Sequence, residues 1–121
     1  ISVLFSLSAR AFDEALLYGT WYCKVGGNTD HYEVKKDGTY IKKSEFYGKP
    51  IVGKGYWEVQ GQVLYFARLE YIAKGVTEES NIIFSRKIVK LSQEKLDLKH
   101  DGGLGNVVKT RCSRTKSFWP W

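Results

Sequence analysis

The sequence predicts an all-β protein, a single antiparallel up-and-down β-barrel of about eight strands with a short N-terminal helix. Three observations lead to this prediction. Turn-forming residues recur at short intervals from Gly19 onward, the runs between them are rich in Tyr, Val, Ile, Trp and Thr, and several runs alternate apolar with polar residues. The length of 121 residues corresponds to one domain and leaves no room for a separate catalytic module.

The predicted elements follow one another in a simple order. The segment 12–17 carries two acidic residues near its start, where negative charge interacts favourably with a helix dipole, so it is the predicted helix. Because it is too short to be stable alone, we expect it to pack against the barrel. Eight strands are predicted near residues 19–25, 30–36, 39–46, 51–59, 62–72, 79–91, 95–100 and 106–114.

Alternation and turn chemistry support the strand assignments. Trp57 and Val59 share one face of their strand, and Leu96 and Leu98 share one face of theirs, with charged residues opposite. This period of two is typical of a sheet with one solvated side. The strongest hairpin signal is the Asp37-Gly38 pair, because glycine adopts a positive φ without a Cβ clash.

Two stretches of the chain resemble a known family. Phe12–Tyr22, FDEALLYGTWY, resembles the first signature of the lipocalins, in which a short helical turn leads into Gly-x-Trp-Tyr on the first strand. The later runs around Asp37–Tyr40, Gly55–Val59 and Ile88–Leu98 resemble short bacterial lipocalin-like domains, which are small secreted barrels. The resemblance implies a calycin-type barrel that binds a small apolar ligand.

The same resemblance implies two residue roles at the end of the barrel. Trp21 would be the tryptophan that packs in the barrel floor. A late arginine commonly covers that ring in the family, and Arg111 is the candidate by position. Stacking of a cation over an indole gives the contact a physical basis.

Seven residues are predicted to face the barrel interior and to contact the ligand. An eight-stranded barrel holds either packed side chains or one small ligand. The aromatic bulk of a short chain keeps a filled core open as the alternative. The predicted ligand-binding residues are Trp21, Tyr32, Val34, Trp57, Val59, Phe66 and Phe84.

The two cysteines lie in the first and last predicted strands, which are neighbours in a closed barrel. A Cys23–Cys112 disulfide is therefore expected in an oxidising compartment, and two separate buried thiols are the alternative. Alternation places Trp21 and Cys23 on one face, but it places Arg111 and Cys112 on opposite faces. An Arg111–Trp21 contact and the disulfide are therefore compatible only through a bulge or an offset register.

The sequence predicts no catalytic site, no metal site and no cofactor, so the protein is not expected to be an enzyme. His31 and His100 are the only histidines, and no Cys-x-x-Cys or His-x-His spacing occurs. No serine stands in a Gly-x-Ser-x-Gly elbow. The glycine-rich run at 102–105 lacks the lysine and the helix that a phosphate loop requires, so it is predicted to be a hairpin.

A net charge of +6 suggests two other functions. Residues 35–54 carry six lysines and two acidic residues among aromatic rings, as in single-stranded nucleic-acid binders. The face that would hold such a strand is Tyr40, Lys42 and Phe46. A solvated face with edge lysines explains the same charges, so nucleic-acid binding is not expected. A protein-binding inhibitor or immunity-type barrel, which turns its basic face and loops to an acidic partner, is the other alternative.

Both ends differ from the barrel domain, which is predicted to span residues 12–115. An apolar run followed by Ala9-Arg10-Ala11 makes residues 1–11 a possible signal-peptide remnant or N-terminal extension, and an ordinary first element is the alternative. Residues 116–121 form an aromatic tail that is expected to dock on the barrel mouth, or alternatively to contact a partner or a membrane. The expected location is secreted or periplasmic, without a membrane span.

Overall fold

Eight antiparallel strands form a closed barrel in the computed structural model, which describes residues 12–115. The strands follow one another around the barrel in chain order, and the last pairs with the first, which confirms the predicted up-and-down topology. The predicted leader at 1–11 and the aromatic tail at 116–121 lie outside the described residues. The strands are β1 (Gly19–Val25), β2 (Asn28–Val34), β3 (Thr39–Phe46), β4 (Lys49–Gln60), β5 (Val63–Ala73), β6 (Val76–Leu91), β7 (Lys95–Asp101) and β8 (Val107–Ser113).

The N-terminal segment forms a single 3-10 turn over Glu14–Leu17, so the predicted helix is corrected to one turn. Asp13 caps this turn, and its Oδ1 accepts a hydrogen bond from the Ala15 N–H at 3.0 Å. Strand β1 begins two residues after the turn ends, which leaves no length for an α-helix. Leu17 closes the turn and is fully buried beneath the barrel.

The connections divide between the two ends of the barrel. The loops after β1, β3, β5 and β7 lie at one end, which we call the mouth. The loops after β2, β4 and β6, together with the 3-10 turn and the end of β8, lie at the other end, which we call the floor. The core of buried apolar residues includes Leu17, Trp21, Val34, Trp57 and Leu64, which lie toward the floor.

Two tight hairpins at the mouth differ from the turns predicted at this end. Tyr47 and Gly48 connect β3 to β4 with φ of 53° and 77°, and Lys74 and Gly75 connect β5 to β6 with φ of 54° and 75°. Positive φ at both central residues suits the right-handed twist of a two-residue hairpin. Both hairpins are tighter than the connections at 47–50 and 73–78 that the predicted strand bounds left, because tyrosine and lysine carry no turn preference of their own.

Bulges in β5 and β6 change which residues face inward. The β4–β5 register shifts between Lys54 and Gly55, and the β5–β6 register shifts between Arg68 and Glu70. At Gly55 a Cβ would overlap the carbonyl oxygen of Ala67, so the close approach of the two strands requires glycine. In the first shift Leu69 is an extra residue of β5, so Arg68 and Tyr71 both line the interior, although regular alternation would place them on opposite faces.

Candidate ligand-binding cavity

An arginine covers the floor tryptophan, but it is Arg114 and not the predicted Arg111. The guanidinium carbon of Arg114 lies 3.5 Å from the centre of the Trp21 ring. Arg111 is exposed and stands opposite Lys24 in the β1–β8 ladder. Since Cys112 points inward, its neighbour Arg111 must point outward, whereas Arg114 lies just beyond the end of β8 and turns beneath the barrel.

The Arg114 guanidinium also joins three segments of the floor. It donates hydrogen bonds to the carbonyl oxygens of Leu16 at 2.6 Å, Thr20 at 3.2 Å and Gln93 at 3.0 Å. These carbonyls belong to the 3-10 turn, to β1 and to the loop between β6 and β7. Trp21 is fully buried, and its indole N–H donates to the carbonyl of Leu17 at 2.9 Å. Arg114 therefore connects the 3-10 turn, β1 and the β6–β7 loop beneath Trp21.

The predicted disulfide joins Cys23 and Cys112. The two residues are directly opposite in the β1–β8 ladder, both are buried, and their Cα atoms are 4.0 Å apart. The disulfide and an arginine over Trp21 occur together without a bulge, because Arg114 rather than Arg111 covers the ring.

The seven predicted ligand-binding residues divide into two groups. Tyr32, Phe66 and Phe84 line a cavity of about 210 Å³ in the mouth half of the barrel. The other four, Trp21, Val34, Trp57 and Val59, belong to the packed core and do not line this cavity. The filled-core alternative therefore holds for the floor half of the barrel.

The cavity wall combines stacked aromatic rings with polar groups that sequence reasoning did not assign to the ligand site. Tyr32 stacks on Phe66 with ring centres 5.3 Å apart, and Tyr40 tilts against Phe66 at 4.7 Å. These rings come from the inner faces of β2, β3 and β5. The lining residues outside the predicted set are Tyr40, Lys42, Ser44, Ile51, Gly53, Arg68, Tyr71 and Arg86.

Lys42 points into the barrel, which corrects its place on the predicted solvated face. Its Nζ lies 3.6 Å from an Oδ of buried Asp30 and 5.6 Å from the centre of the Tyr32 ring. The other five lysines of the basic stretch, at positions 35, 36, 43, 49 and 54, are exposed as predicted. Tyr40 is buried, and the Phe46 side chain lies outside the described part of the structure, so Tyr40 and Lys42 form no outer nucleic-acid face.

Burial changes the titration of the groups around Lys42. It raises the pKa of Asp30, and the nearby Lys42 and Arg86 offset part of that increase. Burial also raises the pKa of Tyr32 well above its ordinary value, and the charge of Asp30 adds to this effect. The phenol of Tyr32 therefore stays neutral near physiological pH and can donate a hydrogen bond.

The raised pKa of Asp30 predicts a pH-dependent stability. Because the folded protein binds this proton more tightly than the unfolded chain, the contribution of Asp30 to stability is full below its ordinary pKa of 3.8. That contribution is lost as the pH rises through the raised folded value. The groups that face Asp30 are Lys42 from β3, Arg86 from β6 and Tyr32 beside it on β2.

We therefore expect D30N to become more stable relative to the wild type as the pH rises from the ordinary pKa of Asp30 to its raised folded value. The free energies of unfolding of both proteins are measured by urea denaturation. D37N is the control with the opposite sign. Hydrogen bonds from the hydroxyl and the N–H of Thr39 lower the pKa of exposed Asp37, so its contribution is lost as the pH falls. Parallel curves for D30N and wild type would contradict the assignment.

The two histidines do not line the cavity. Within residues 12–115, no group of three or more His, Cys, Asp or Glu side chains could hold a metal ion. His31 stacks on Tyr22 with ring centres 4.7 Å apart, and His100 is half-buried on β7. In the same part of the chain, no helix is long and apolar enough for a membrane crossing.

No protein-family model matches the chain, and a comparison with curated proteins finds no match. The closed barrel of eight antiparallel strands is consistent with a calycin-like fold.

Proposed function

We propose that this protein is a non-catalytic binding protein that takes one small organic molecule into the mouth half of its barrel. The observation that carries the proposal is the cavity of about 210 Å³ with Tyr32, Phe66 and Phe84 in its wall. An apolar protein cavity of about 150 Å³ is enough to bind benzene. The cavity thus has room for a ligand with one or two rings.

The architecture supports entry of the ligand from the mouth. The floor is sealed by Trp21 and Arg114, and the disulfide locks β1 to β8. Tyr32 and Tyr40 both pack on Phe66, so the rings of the aromatic wall hold one another in place and little side-chain ordering is needed on binding. Preformed sites bind more tightly for this reason.

We also propose that the protein acts in a secreted or periplasmic setting. The disulfide supports this location, because cytosolic thiols are normally kept reduced. A small secreted or periplasmic binding barrel is also what the resemblance to bacterial lipocalin-like domains implies.

The proposal is tested by NMR with ¹⁵N- and ¹³C-labelled protein and a panel of neutral and charged one- and two-ring aromatic compounds. We expect at least one compound to shift the signals of Tyr32, Phe66 and Phe84, while the exposed Tyr56 on the outer face of β4 is unaffected. A panel that leaves the interior signals unchanged would refute cavity binding. Shifts confined to the outer face would favour the protein-binding alternative.

A further inference from the structure

The cavity wall carries more positive than negative charge. Lys42, Arg68 and Arg86 line the cavity, and Asp30 is the acidic side chain beside them. Asp30 forms its ion pair with Lys42. Within residues 12–115 neither arginine forms an ion pair. Asp30, which both Lys42 and Arg86 face, is one negative charge against three positive charges, so the wall carries an excess of positive charge.

Arg68 is held in place by uncharged groups. Its Nε donates to the Ser80 hydroxyl at 2.9 Å, and its guanidinium carbon lies 4.5 Å from the Tyr71 ring centre and 5.3 Å from that of Phe84. The β-bulge beside it brings Tyr71 to the same wall. Ring contacts and one hydroxyl orient the guanidinium but do not neutralise it.

Arg86 approaches the same ring from another position. Its guanidinium carbon lies 5.7 Å from the centre of the Phe84 ring, and its Nη1 donates to the backbone carbonyl of Ser85 at 2.8 Å. Both arginines are partly buried. Phe84 is therefore flanked by two guanidinium groups, within a wall that also contains Tyr32 and Phe66.

We propose that the ligand of this cavity is an organic anion, whose carboxylate or sulfonate group is bound by Arg68 and Arg86 while its aromatic body packs on Phe84, Phe66 and Tyr32. This inference rests on the proposed function and names the class of its ligand. It replaces the apolar ligand expected from the sequence with an amphiphilic one.

The physical reason is that partly buried cations in excess of the nearby anions lower the stability of a fold. Residues that break such a rule without a compensating contact are expected at functional sites. A guanidinium presents several N–H donors in a planar fork, which matches the oxygens of a carboxylate or sulfonate, and such charge-assisted hydrogen bonds are among the strongest in proteins.

The direct test uses two probes with the same aromatic body, 1-naphthalenesulfonate and its neutral counterpart 1-naphthalenesulfonamide, in isothermal titration calorimetry. We expect the sulfonate to bind at least about tenfold more tightly than the sulfonamide, because only the sulfonate forms hydrogen bonds with the guanidinium groups in which both donor and acceptor are charged. The sulfonate carries its charge throughout the pH range of the experiment, so its own ionisation does not affect the comparison.

Matched variants separate local recognition from net charge. R86Q removes a charge from the cavity wall, and K87Q removes one from the exposed neighbour on the opposite face of β6. K42Q and K43Q form a second inside–outside pair on β3. We expect R86Q to weaken sulfonate binding about tenfold and K87Q to change it by less than about twofold, since its charge is screened by solvent.

D30N provides a test that loss of folding cannot imitate. It removes the negative charge next to Lys42, so we expect it to strengthen sulfonate binding by roughly threefold or more, because a nearby like charge disfavours the anion. The sulfonamide serves as the neutral control and should bind D30N and the wild type equally.

The outcomes distinguish the two levels of the proposal. Preference for the sulfonate that is lost in R86Q, retained in K87Q and increased in D30N supports both the cavity and its anionic ligand. Equal binding of both probes, insensitive to R86Q, overturns the anionic ligand and leaves cavity binding intact. Binding of neither probe up to millimolar concentration overturns the anionic aromatic ligand, and the NMR panel then decides whether cavity binding falls with it.

Discussion

Loss of the Cys23–Cys112 disulfide is expected to lower the free energy of unfolding by about 2–4 kcal/mol. The two cysteines are 89 residues apart, so the bond closes nearly the whole barrel and strongly restricts the unfolded chain. The bond also lies in the ladder that closes the barrel. That ladder pairs only Tyr22–Val25 with Thr110–Ser113, whereas β1 and β2 pair along their full length.

The measurement is urea denaturation of the oxidised protein, the reduced protein and C23A/C112A. The reduced protein and the double variant should be destabilised by similar amounts. K24A/R111A is the matched control, because this pair is adjacent in the same ladder but points outward, and we expect a change within about 0.5 kcal/mol. Equal stability of the oxidised and reduced proteins would contradict the prediction.

Replacement of Arg114 by alanine is expected to lower the free energy of unfolding by about 2–4 kcal/mol. The change removes the cation stacked on Trp21 and the hydrogen bonds to three carbonyl oxygens of the floor. Two of those carbonyls, in Leu16 and Thr20, are in partly buried surroundings, where an acceptor that loses its donor destabilises the fold.

R111A is the control for Arg114, since it removes the same type of side chain three residues earlier from an exposed position. We expect it to change stability by less than about 0.5 kcal/mol. R114K should recover only part of the loss, because an ammonium group lacks the planar fork that reaches several acceptors. The NMR signal of the Trp21 indole N–H, which donates to the Leu17 carbonyl in the fully buried floor, should shift in R114A. Equal stability of R114A and R111A would contradict the prediction that Arg114 stabilises the floor.

Local sequence pattern was sufficient for the barrel and its closure. Apolar–polar alternation and glycine-containing turns located all eight strands, and the cysteines at the two ends of the strand series indicated that β1 and β8 are neighbours. These properties depend on short-range backbone preferences and on the period of two along a strand, and both can be recognised from residues that are adjacent in the sequence.

The single helical turn and the choice of arginine needed the folded chain. The segment before Gly19 has helix-favouring residues, but the start of β1 limits it to Glu14–Leu17. Alternation correctly placed Arg111 and Cys112 on opposite faces of β8. The residue that covers Trp21, however, lies beyond the end of this strand, where no periodic rule applies. Its position depends on how the chain turns beneath the closed barrel.

The sequence alone predicted an antiparallel barrel with aromatic residues inside and its two cysteines on neighbouring strands, and it left open whether these cysteines are bonded. Only the tertiary structure decided that the floor half is packed while the mouth half contains a cavity with Lys42, Arg68 and Arg86 in its wall. Alternation had already placed Lys42 on the same face as Tyr40. Because charged residues are rarely buried, the sequence nevertheless favoured a solvent-exposed position for this lysine. Which inner positions meet packed side chains and which meet open space depends on strand lengths, bulges and barrel closure together, and these are properties of the assembled sheet.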